Sequence, residues 1–136
     1  MLDYISLVEN LRLNRAGEIV SLHKPLLILF CISEIDKGSP NIFYFDKIEI
    51  QITSLIQKYG LKNTKLIKPE YPFLFLSSDN QLWNCSVNKF NLKYPDSPSK
   101  SDLQGSYGSF TDDFLGFLKV KENRINLVKS ILCKYP

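Results

Sequence analysis

A histidine and a lysine stand at the predicted start of an apolar helix, where their side chains suit the binding of an anion. Residues 21–25 read Ser-Leu-His-Lys-Pro and lead into a leucine-rich run. Pro25 favours the first turn of a helix, because its missing amide hydrogen costs nothing there. The free backbone amides of a helix start favour a phosphate, and His23 and Lys24 add donors and positive charge. A lone histidine at this place is also typical of a satisfied structural group, so both interpretations stay open.

A second segment combines aromatic rings with two prolines. Residues 68–75 read Lys-Pro-Glu-Tyr-Pro-Phe-Leu-Phe, so that Pro69 and Pro72 bracket Tyr71. Proline fixes the local backbone, and a fixed backbone loses little conformational entropy when a ligand docks on it. The segment therefore predicts either a rigid binding surface or the rigid start of a strand that fills the core.

The patterns that known catalytic centres require are missing from the sequence. An HNH nuclease needs at least two histidines, one as general base and one as metal ligand, and the chain has only His23. The nearest imitation of a PD-(D/E)xK nuclease is Asp36 with residues 49–51, where Gln51 replaces the required lysine. No phosphate-binding loop, GxGxxG or Ser/His/Asp spacing occurs. We therefore expect a protein that is not an enzyme and that holds neither a metal nor a cofactor.

Length, composition and cysteine usage predict one globular domain over residues 1–136. The chain is 44% hydrophobic and 23% charged, which is ordinary for a folded domain. It shows neither an apolar run of about 20 residues nor a signal peptide, so we predict no membrane contact and a cytoplasmic location. Three widely spaced cysteines without CxxC spacing predict reduced, buried thiols, with a zinc site or a Cys–His dyad as alternatives. They are Cys31, Cys85 and Cys133.

The net charge of +3 is mild, but the charges are unevenly distributed along the chain. Acidic residues concentrate at 34–36, 46–49 and 112–113. The basic side chains form three groups, which are Arg12, Arg15, His23 and Lys24; Lys58, Lys62, Lys65 and Lys68; and Lys89, Lys93 and Lys100. This segregation predicts one positive face suited to nucleic acid, although solvated lysines on helix surfaces give the same pattern.

Hydrophobic periodicity predicts two helices at the start of the chain. The first spans residues 3–14, with Asp3 as its cap. The second starts near His23 and ends at Gly38, because glycine is the common residue just past a helix end. This second helix is apolar on nearly every side. We therefore expect it at the centre of the core.

A short extended link at 41–44 precedes a third predicted helix. Asp46 and Glu49 have the spacing of a capping box, and Gly60 is expected to end the helix. The alternation of apolar and polar residues at 48–52 also suits a strand.

The second half of the chain predicts one hairpin, one long loop and two closing helices. Tyr71–Leu76 and Gln81–Cys85 are rich in β-favouring residues and flank a short polar turn, which indicates a β-hairpin. Residues 91–109 show no periodicity and predict a loop. The closing helices start at Thr111 and near Asn123. The predicted fold is α+β and predominantly helical, with about five helices around a buried central helix and one small β-hairpin.

The two binding segments, followed by Trp83, together resemble a known family. His-Lys-Pro before a leucine-rich helix, then Pro-Glu-Tyr-Pro-Phe, is similar to the sulfur-binding domain of phosphorothioate-dependent type IV restriction endonucleases. The resemblance is strongest at residues 21–29 and 69–83. It implies a domain that binds double-stranded DNA in which a sulfur replaces one non-bridging phosphate oxygen. In this family a separate HNH domain supplies the nuclease, so the chain would be the reader module of a bacterial defence system.

Carried over by position, the resemblance implies a sulfur site. His23 and Lys24 would contact the modified phosphate and its neighbour. Tyr71 and Pro72 would wall the sulfur pocket, with Phe75 near its rim. The family also brings a basic side chain from the following loop, for which Lys100 is preferred over Lys93. Further contacts with the DNA backbone or bases are expected from Arg12, Arg15, Lys89, Lys93 and Ser106.

The sequence departs from the family pattern in two places, the first of which affects the rim of the pocket. A tryptophan and a small or polar residue commonly follow the Tyr-Pro-Phe, whereas Leu74 and Phe75 follow it here. A Gly-Gly-Phe-like element is present only as residues 108–110, Gly-Ser-Phe. Whether the chain acts alone or with a nuclease domain or subunit stays open. Two other functions also stay open, which are a helix-turn-helix regulator of unmodified DNA and a protein-interaction module that uses the aromatic hairpin.

Overall fold

The chain folds into six α-helices and five short strands in the residues that the structure describes. This structure is a computed structural model, and it describes residues 3–11, 15–16, 19–20, 23–59, 70–78, 81–86 and 101–135, with the backbone alone at 15, 16, 19, 20, 71, 75, 78 and 101. The helices are α1 (Tyr4–Glu9), α2 (His23–Asp36), α3 (Phe45–Tyr59), α4 (Glu70–Phe75), α5 (Asp112–Leu118) and α6 (Lys121–Lys134). The strands are β1 (Arg15–Ala16), β2 (Ile19–Val20), β3 (Phe43–Tyr44), β4 (Trp83–Ser86) and β5 (Tyr107–Phe110). Short 3-10 helices cover Leu76–Ser78 and Ser101–Leu103.

Helix α2 lies at the centre of the core, as its sequence predicts. Its buried side chains point in all directions, and they are Pro25, Leu26, Leu27, Ile28, Cys31 and Ile32. Helices α3, α4 and α6 pack around it. Beyond its last turn, Gly38 has a φ of 93°, a left-handed conformation that favours glycine and stops the helix. The predicted α+β, predominantly helical fold around a buried helix is confirmed.

The three-stranded sheet is antiparallel, with β5 between β3 and β4. Gly108 of β5 stands opposite Phe43 on one side and Cys85 on the other. The side chain of Asn41, just before β3, continues the hydrogen bonding along β5. It donates to the carbonyl of Phe110 and accepts from its amide, both at 3.0 Å. A separate pair of two-residue strands, β1 and β2, forms an antiparallel ladder before α2.

A chain of aromatic rings joins the sheet to the helices. The Trp83 ring lies 5.9 Å from that of Phe73 on α4 and 5.6 Å from that of Phe110 on β5, measured between centroids. Phe110 in turn lies 5.1 Å from Phe114 on α5. All four rings are almost completely buried. Edge-to-face contacts of this kind add to the free energy of burial, so Trp83 links α4, the sheet and α5 in one core.

The predicted cap at Asp3 and the predicted helix start at Thr111 are confirmed, and two helix boundaries differ from the prediction. The Asp3 carboxylate accepts from the Ser6 amide at 3.1 Å, and the Thr111 hydroxyl accepts from the Phe114 amide at 3.3 Å. Helix α1 ends at Glu9 and not at residue 14. The capping box at Asp46 was wrong, because α3 already begins at Phe45 and the Asp46 carboxylate accepts from the Gly105 amide.

The predicted hairpin between residues 71–76 and 81–85 was wrong. Residues 70–75 form helix α4, and the partner of β4 is β5, which lies more than 20 residues further along the chain. The predicted loop at 91–109 is also corrected at its end, since Tyr107–Phe110 is the central strand of the sheet. The protein-interaction alternative relied on the hairpin and loses that support.

In the part of the chain that the structure describes, no helix is long and apolar enough to cross a bilayer.

Candidate nucleic-acid interface

The N-terminus of α2 presents the first part of the candidate interface. His23 and Lys24 are the first two residues of the helix, and both are half-buried. Pro25, the third residue, is buried, as expected for a proline in the first turn. Burial lowers the pKa of His23 below its usual value of 6.5, so the ring is neutral at pH 7 in the free chain.

The charges of α2 oppose its own helix dipole. Its first turn contains Lys24 and no acidic residue, whereas Glu34 and Asp36 stand at its C-terminal end with no basic residue in the last turn. At about 1.5 Å per residue, these acids lie about 16 to 20 Å along the axis from His23. The two acids are paired with cations, Glu34 with Lys37 at 3.5 Å and Asp36 with Arg124 at 3.0 Å, so the unfavourable placement is that of Lys24 at the positive end. An anion bound at the N-terminus would interact favourably with both the dipole and Lys24.

Helix α4 is the second part of the candidate interface, and it packs against α2. Pro72 is again the third residue of its helix, and it is buried. The Trp83 indole N–H donates to the carbonyl of Phe73 at 3.0 Å in the buried core. The Phe73 ring also contacts Phe45 of α3 at 5.1 Å between centroids. These contacts fix the helix that bears Tyr71, because a short helix of six residues is stable only through tertiary packing.

The β1–β2 ladder places the backbone of Arg15 near the start of α2. Arg15 stands opposite Val20, three residues before His23. Since an extended residue spans at most about 3.6 Å, the backbone of Val20 is within about 11 Å of the beginning of α2. The backbone of Arg15 is therefore held near the N-terminus of α2.

The predicted site residues other than Ser106 divide into three groups. His23, Lys24 and Pro72 are described together with their side chains, on two helices that pack against each other. Arg15, Tyr71 and Phe75 are described by their backbones alone. Arg12, Lys89, Lys93 and Lys100 lie outside the described residues.

Ser106 is the one predicted contact whose surroundings disfavour its role. Its side chain is buried, with 5% of its surface exposed. Its amide donates to the carbonyl of Leu103 at 2.9 Å, and its carbonyl accepts from the amide of Phe45 at 3.0 Å. Ser106 thus joins the turn before β5 to the start of α3, and its predicted contact with DNA stays untested.

Glu70 is a polar residue at this site that the sequence reasoning did not select. It begins α4, is 5% exposed, and its Oε1 atom has no hydrogen-bond partner among the described residues. A buried carboxylate oxygen without a donor is costly, which makes it an acceptor for an incoming donor group. Its position between Pro69 and Tyr71 was the available signal.

The cysteines do not contribute a nucleophile to this interface. Cys31 is buried, and burial raises the pKa of its thiol well above the usual value. Burial also raises the pKa of Cys85 to about 12, so both thiols are protonated at neutral pH. Cys133 was predicted to be buried and is exposed on α6, which corrects that prediction. Among the described residues, no three His, Cys, Asp or Glu side chains cluster as a metal site requires.

Solved structures with a similar fold are sulfur-binding domains. The sulfur-binding domain of ScoMcrA complexed with phosphorothioated DNA is 20% identical, with a TM-score of 0.84 over 99% of this chain and 88% of that one. The corresponding domain of SprMcrA, also complexed with phosphorothioated DNA, is 18% identical, with a TM-score of 0.77 over 97% of this chain and 83% of that one.

A longer relative has the same fold in one part of its chain. The type IV phosphorothioation-dependent restriction endonuclease ScoMcrA is 19% identical, with a TM-score of 0.80. The match covers 99% of this chain and 30% of the endonuclease. No curated protein sequence gives a significant match. The family model described as "ScoMcrA-like, DNA sulfur-binding domain" matches residues 2–135. The chain therefore belongs to the ScoMcrA-like DNA sulfur-binding domain family.

Proposed function

We propose that the chain binds double-stranded DNA that carries a phosphorothioate in its backbone, and that the N-terminus of α2 and helix α4 form the contact surface. One observation carries the assignment to this surface. Helix α2, which begins with His23 and Lys24 and has no acidic residue in its first turn, packs against the helix that bears Tyr71 and Pro72. Family membership supports the nature of the ligand, as do the two similar domains that were solved with phosphorothioated DNA.

The charged part of the linkage requires hydrogen-bond donors, and α2 supplies them. The backbone amides of its first turn and the positive end of its dipole favour a phosphate oxygen. Lys24 adds a full positive charge, and the imidazole of His23 adds a donor. Arg15, held near the start of α2, has a side chain long enough to reach a neighbouring phosphate. These contacts bind any DNA backbone, so on their own they give no preference for sulfur.

Discrimination between sulfur and oxygen is the role of Tyr71 and Pro72, with Phe75 at the rim. Sulfur is larger, more polarisable and more weakly hydrated than a phosphate oxygen, so rings of tyrosine and proline gain dispersion contacts with it. The same rings would displace water from an ordinary phosphate oxygen without replacing its hydrogen bonds. This desolvation would cost about 1–3 kcal/mol of binding free energy. That cost corresponds to about one to two orders of magnitude in affinity. Lys100, which precedes β5 in the sequence, would complete the pocket.

The chain acts as a reader of modified DNA and not as the nuclease. In this role it serves a modification-dependent restriction system of the bacterial cytoplasm, in which a separate HNH domain or subunit cuts the DNA. The similar endonuclease, of which this chain matches 30%, supports such a division of labour. Incubation of the chain with sulfur-bearing duplex and Mg²⁺ or Mn²⁺ should leave the DNA intact. Cleavage would contradict the assignment of a reader.

The decisive experiment compares duplexes that differ by one atom. Binding is measured by fluorescence anisotropy for a duplex with a single Rp sulfur at one linkage and for the same duplex with oxygen. We expect the sulfur duplex to bind at least about tenfold more tightly. Equal binding would instead favour a regulator of unmodified DNA, and weak binding to both would favour a protein-interaction module.

A further inference from the structure

A second surface lies between α2, α3 and α6, and it shares only the start of α2, at Pro25, with the proposed DNA contact surface. It is an open groove with a volume of about 310 Å³. Its lining is apolar and includes Pro25, Leu29, Leu55, Tyr59, Leu132 and Tyr135. Two of these side chains are strongly exposed, since Tyr59 is 55% and Leu132 is 59% accessible. Apolar side chains that are exposed together in one groove are typical of an interaction site.

The apolar surface continues beyond the groove along α6. Ile125 is 44% exposed and lies seven residues, or two helical turns, before Leu132. At about 1.5 Å per residue this stripe is about 10 Å long. A surface of this length and shape accommodates the apolar face of a helix, whose side chains repeat every three to four residues.

One wall of the groove is held rigidly. The Tyr135 hydroxyl donates to the backbone carbonyls of Val8 at 3.0 Å and Glu9 at 3.1 Å, which ties the end of α6 to α1. A preformed groove binds a partner at a lower cost in conformational entropy than one that must first be ordered.

Exposed lysines stand beside two lining residues of the groove and form what we call its lysine rim. Lys58 precedes Tyr59 and Lys134 precedes Tyr135, and among the described residues no acidic residue directly adjoins a lining position in the chain. The Lys58 ammonium lies 5.3 Å from the centre of the Tyr59 ring, which places its charge at the edge of the groove. Lys129 is exposed one turn before Leu132.

We propose that this groove docks an amphipathic helix of a partner protein, with leucine-like residues facing the groove and acidic residues on its flanks. The lysine rim selects acidic flanks by charge complementarity. A second copy of the chain fits poorly, because a two-fold contact through this patch would bring each lysine rim against its own copy. DNA also fits poorly, because the lining offers carbon atoms where phosphates require donors.

Two synthetic helical peptides test the charge and the apolar requirement together. Both carry leucine at positions i, i+4 and i+7, and their flanks are either glutamate or lysine. Binding to the full chain is measured by fluorescence anisotropy, and the contacted residues are mapped by NMR chemical shifts. We expect the glutamate peptide to bind with micromolar affinity and to shift groove residues, and the lysine peptide to bind about tenfold more weakly.

Matched variants localise the contact. Leu132→Glu should weaken the glutamate peptide at least about tenfold. Ile50→Glu is the control, since Ile50 is 72% exposed on α3 and lies outside the lining, and it should leave binding unchanged. The double variant Lys58→Glu with Lys134→Glu should invert the preference in favour of the lysine peptide. Circular dichroism confirms that each variant is folded.

Three results would overturn the docking site. One is that neither peptide binds, or that both bind equally in spite of their charge. Another is that Leu132→Glu and Ile50→Glu weaken binding to the same extent. The third is that unmodified duplex DNA shifts the resonances of the groove residues on α3 and α6, such as Leu55 and Leu132, and displaces the peptide, which would assign the groove to the DNA interface.

Discussion

At the scale of single residues, the start of α2 places a cation at the positive end of the helix dipole, where a bound anion would be favourable. Lys24 stands at the positive end of the helix dipole, where an anion is favoured over a cation. His23 adds no second positive charge there, because burial lowers its pKa and the ring stays neutral at pH 7. A bound phosphate would interact favourably with the positive end of the dipole. Its negative charge would also favour the protonated form of the His23 imidazole.

The affinity for phosphorothioated DNA should therefore depend on pH through His23. The phosphate raises the pKa of His23 in the complex, so binding takes up a proton as the pH falls from about 7.5 to about 5.5. We expect the affinity to increase over this window, by at most about tenfold per pH unit. Titrations of the sulfur duplex at constant ionic strength measure the effect. His23→Gln should remove it, and an unchanged slope in this variant would exclude His23 from the contact.

The stability of the free chain should change in the opposite direction. The pKa of His23 is lower in the folded chain than the value of 6.5 that the unfolded chain has. As the pH falls through 6.5 the unfolded chain binds a proton before the folded chain does, so the free energy of unfolding decreases. Urea denaturation from about pH 7.5 to pH 5.5 should show this loss in the wild type, and a smaller loss in His23→Gln.

At the scale of elements, the sequence predicts helix boundaries best where the turn or cap that sets them is local. Pro25 and Gly38 delimit α2, and Thr111 caps α5, because each signal acts within a few residues of the boundary it sets. Tyr71–Leu76 was wrongly predicted as a strand, since its aromatic residues favour strands in isolation. Packing overrides this preference: Phe73 and Leu76, three residues apart, are both buried, and Pro72 suits a first helical turn.

Strand β5 could not be predicted, because its partners are remote in sequence. Its residues read Tyr-Gly-Ser-Phe, which on local grounds is a loop. Only the pairing with β3 and β4 makes it the central strand. Gly108 has a physical reason to be glycine, which the sequence alone does not reveal. A Cβ atom at this position would overlap the buried indole ring of Trp83.

Gly108→Ala should therefore destabilise the chain by about 1–3 kcal/mol, since Trp83 is 1% exposed and has no room to move. Gly116→Ala is the matched control, because a Cβ on this glycine of α5 meets no atom within 4 Å. Alanine in a helix interior should stabilise the chain by about 0.5–1 kcal/mol. Chemical denaturation compares the two. If both variants lose stability equally, the close approach of Gly108 and Trp83 is wrong.

The sequence predicted which residues belong to the candidate site, but only part of how tertiary packing surrounds them. His-Lys-Pro and Pro-Glu-Tyr-Pro-Phe are separated by more than 40 residues, and the two helices that contain them, α2 and α4, pack against each other. Trp83 fixes α4 by donating to the Phe73 carbonyl, a contact that no local pattern indicates. The burial of Ser106 and Glu70 likewise depends on tertiary packing, which explains why one was selected for the site and the other was missed.

At the scale of the whole molecule, Arg124 connects the C-terminal helices to the far end of α2. It donates to the carbonyls of Leu118 at 2.8 Å and Lys119 at 3.2 Å, which lie at the end of α5. It also pairs with Asp36 at 3.0 Å. The Arg124 side chain is 17% exposed, whereas that of Asp36 is 60% exposed. Most of the stabilisation should therefore come from the carbonyl contacts and not from the exposed ion pair.

Two substitutions separate these contributions. Arg124→Met leaves two carbonyls without this donor and should lower the free energy of unfolding by about 1–3 kcal/mol. Asp36→Asn removes only the ion pair and should cost less than about 1 kcal/mol. Equal losses in urea denaturation would mean that the ion pair dominates, contrary to this expectation.

The central claim is that sulfur selectivity and general DNA affinity reside in different parts of one surface. It is tested most directly by the ratio of the dissociation constants for oxygen and sulfur duplexes, measured for the wild type and for Tyr71→Ala over a series of salt concentrations. We predict a ratio of at least about ten for the wild type and near one for Tyr71→Ala, with the same salt dependence for both proteins. A Tyr71→Ala protein that keeps the wild-type ratio, or that loses affinity for both duplexes in parallel, would contradict the claim.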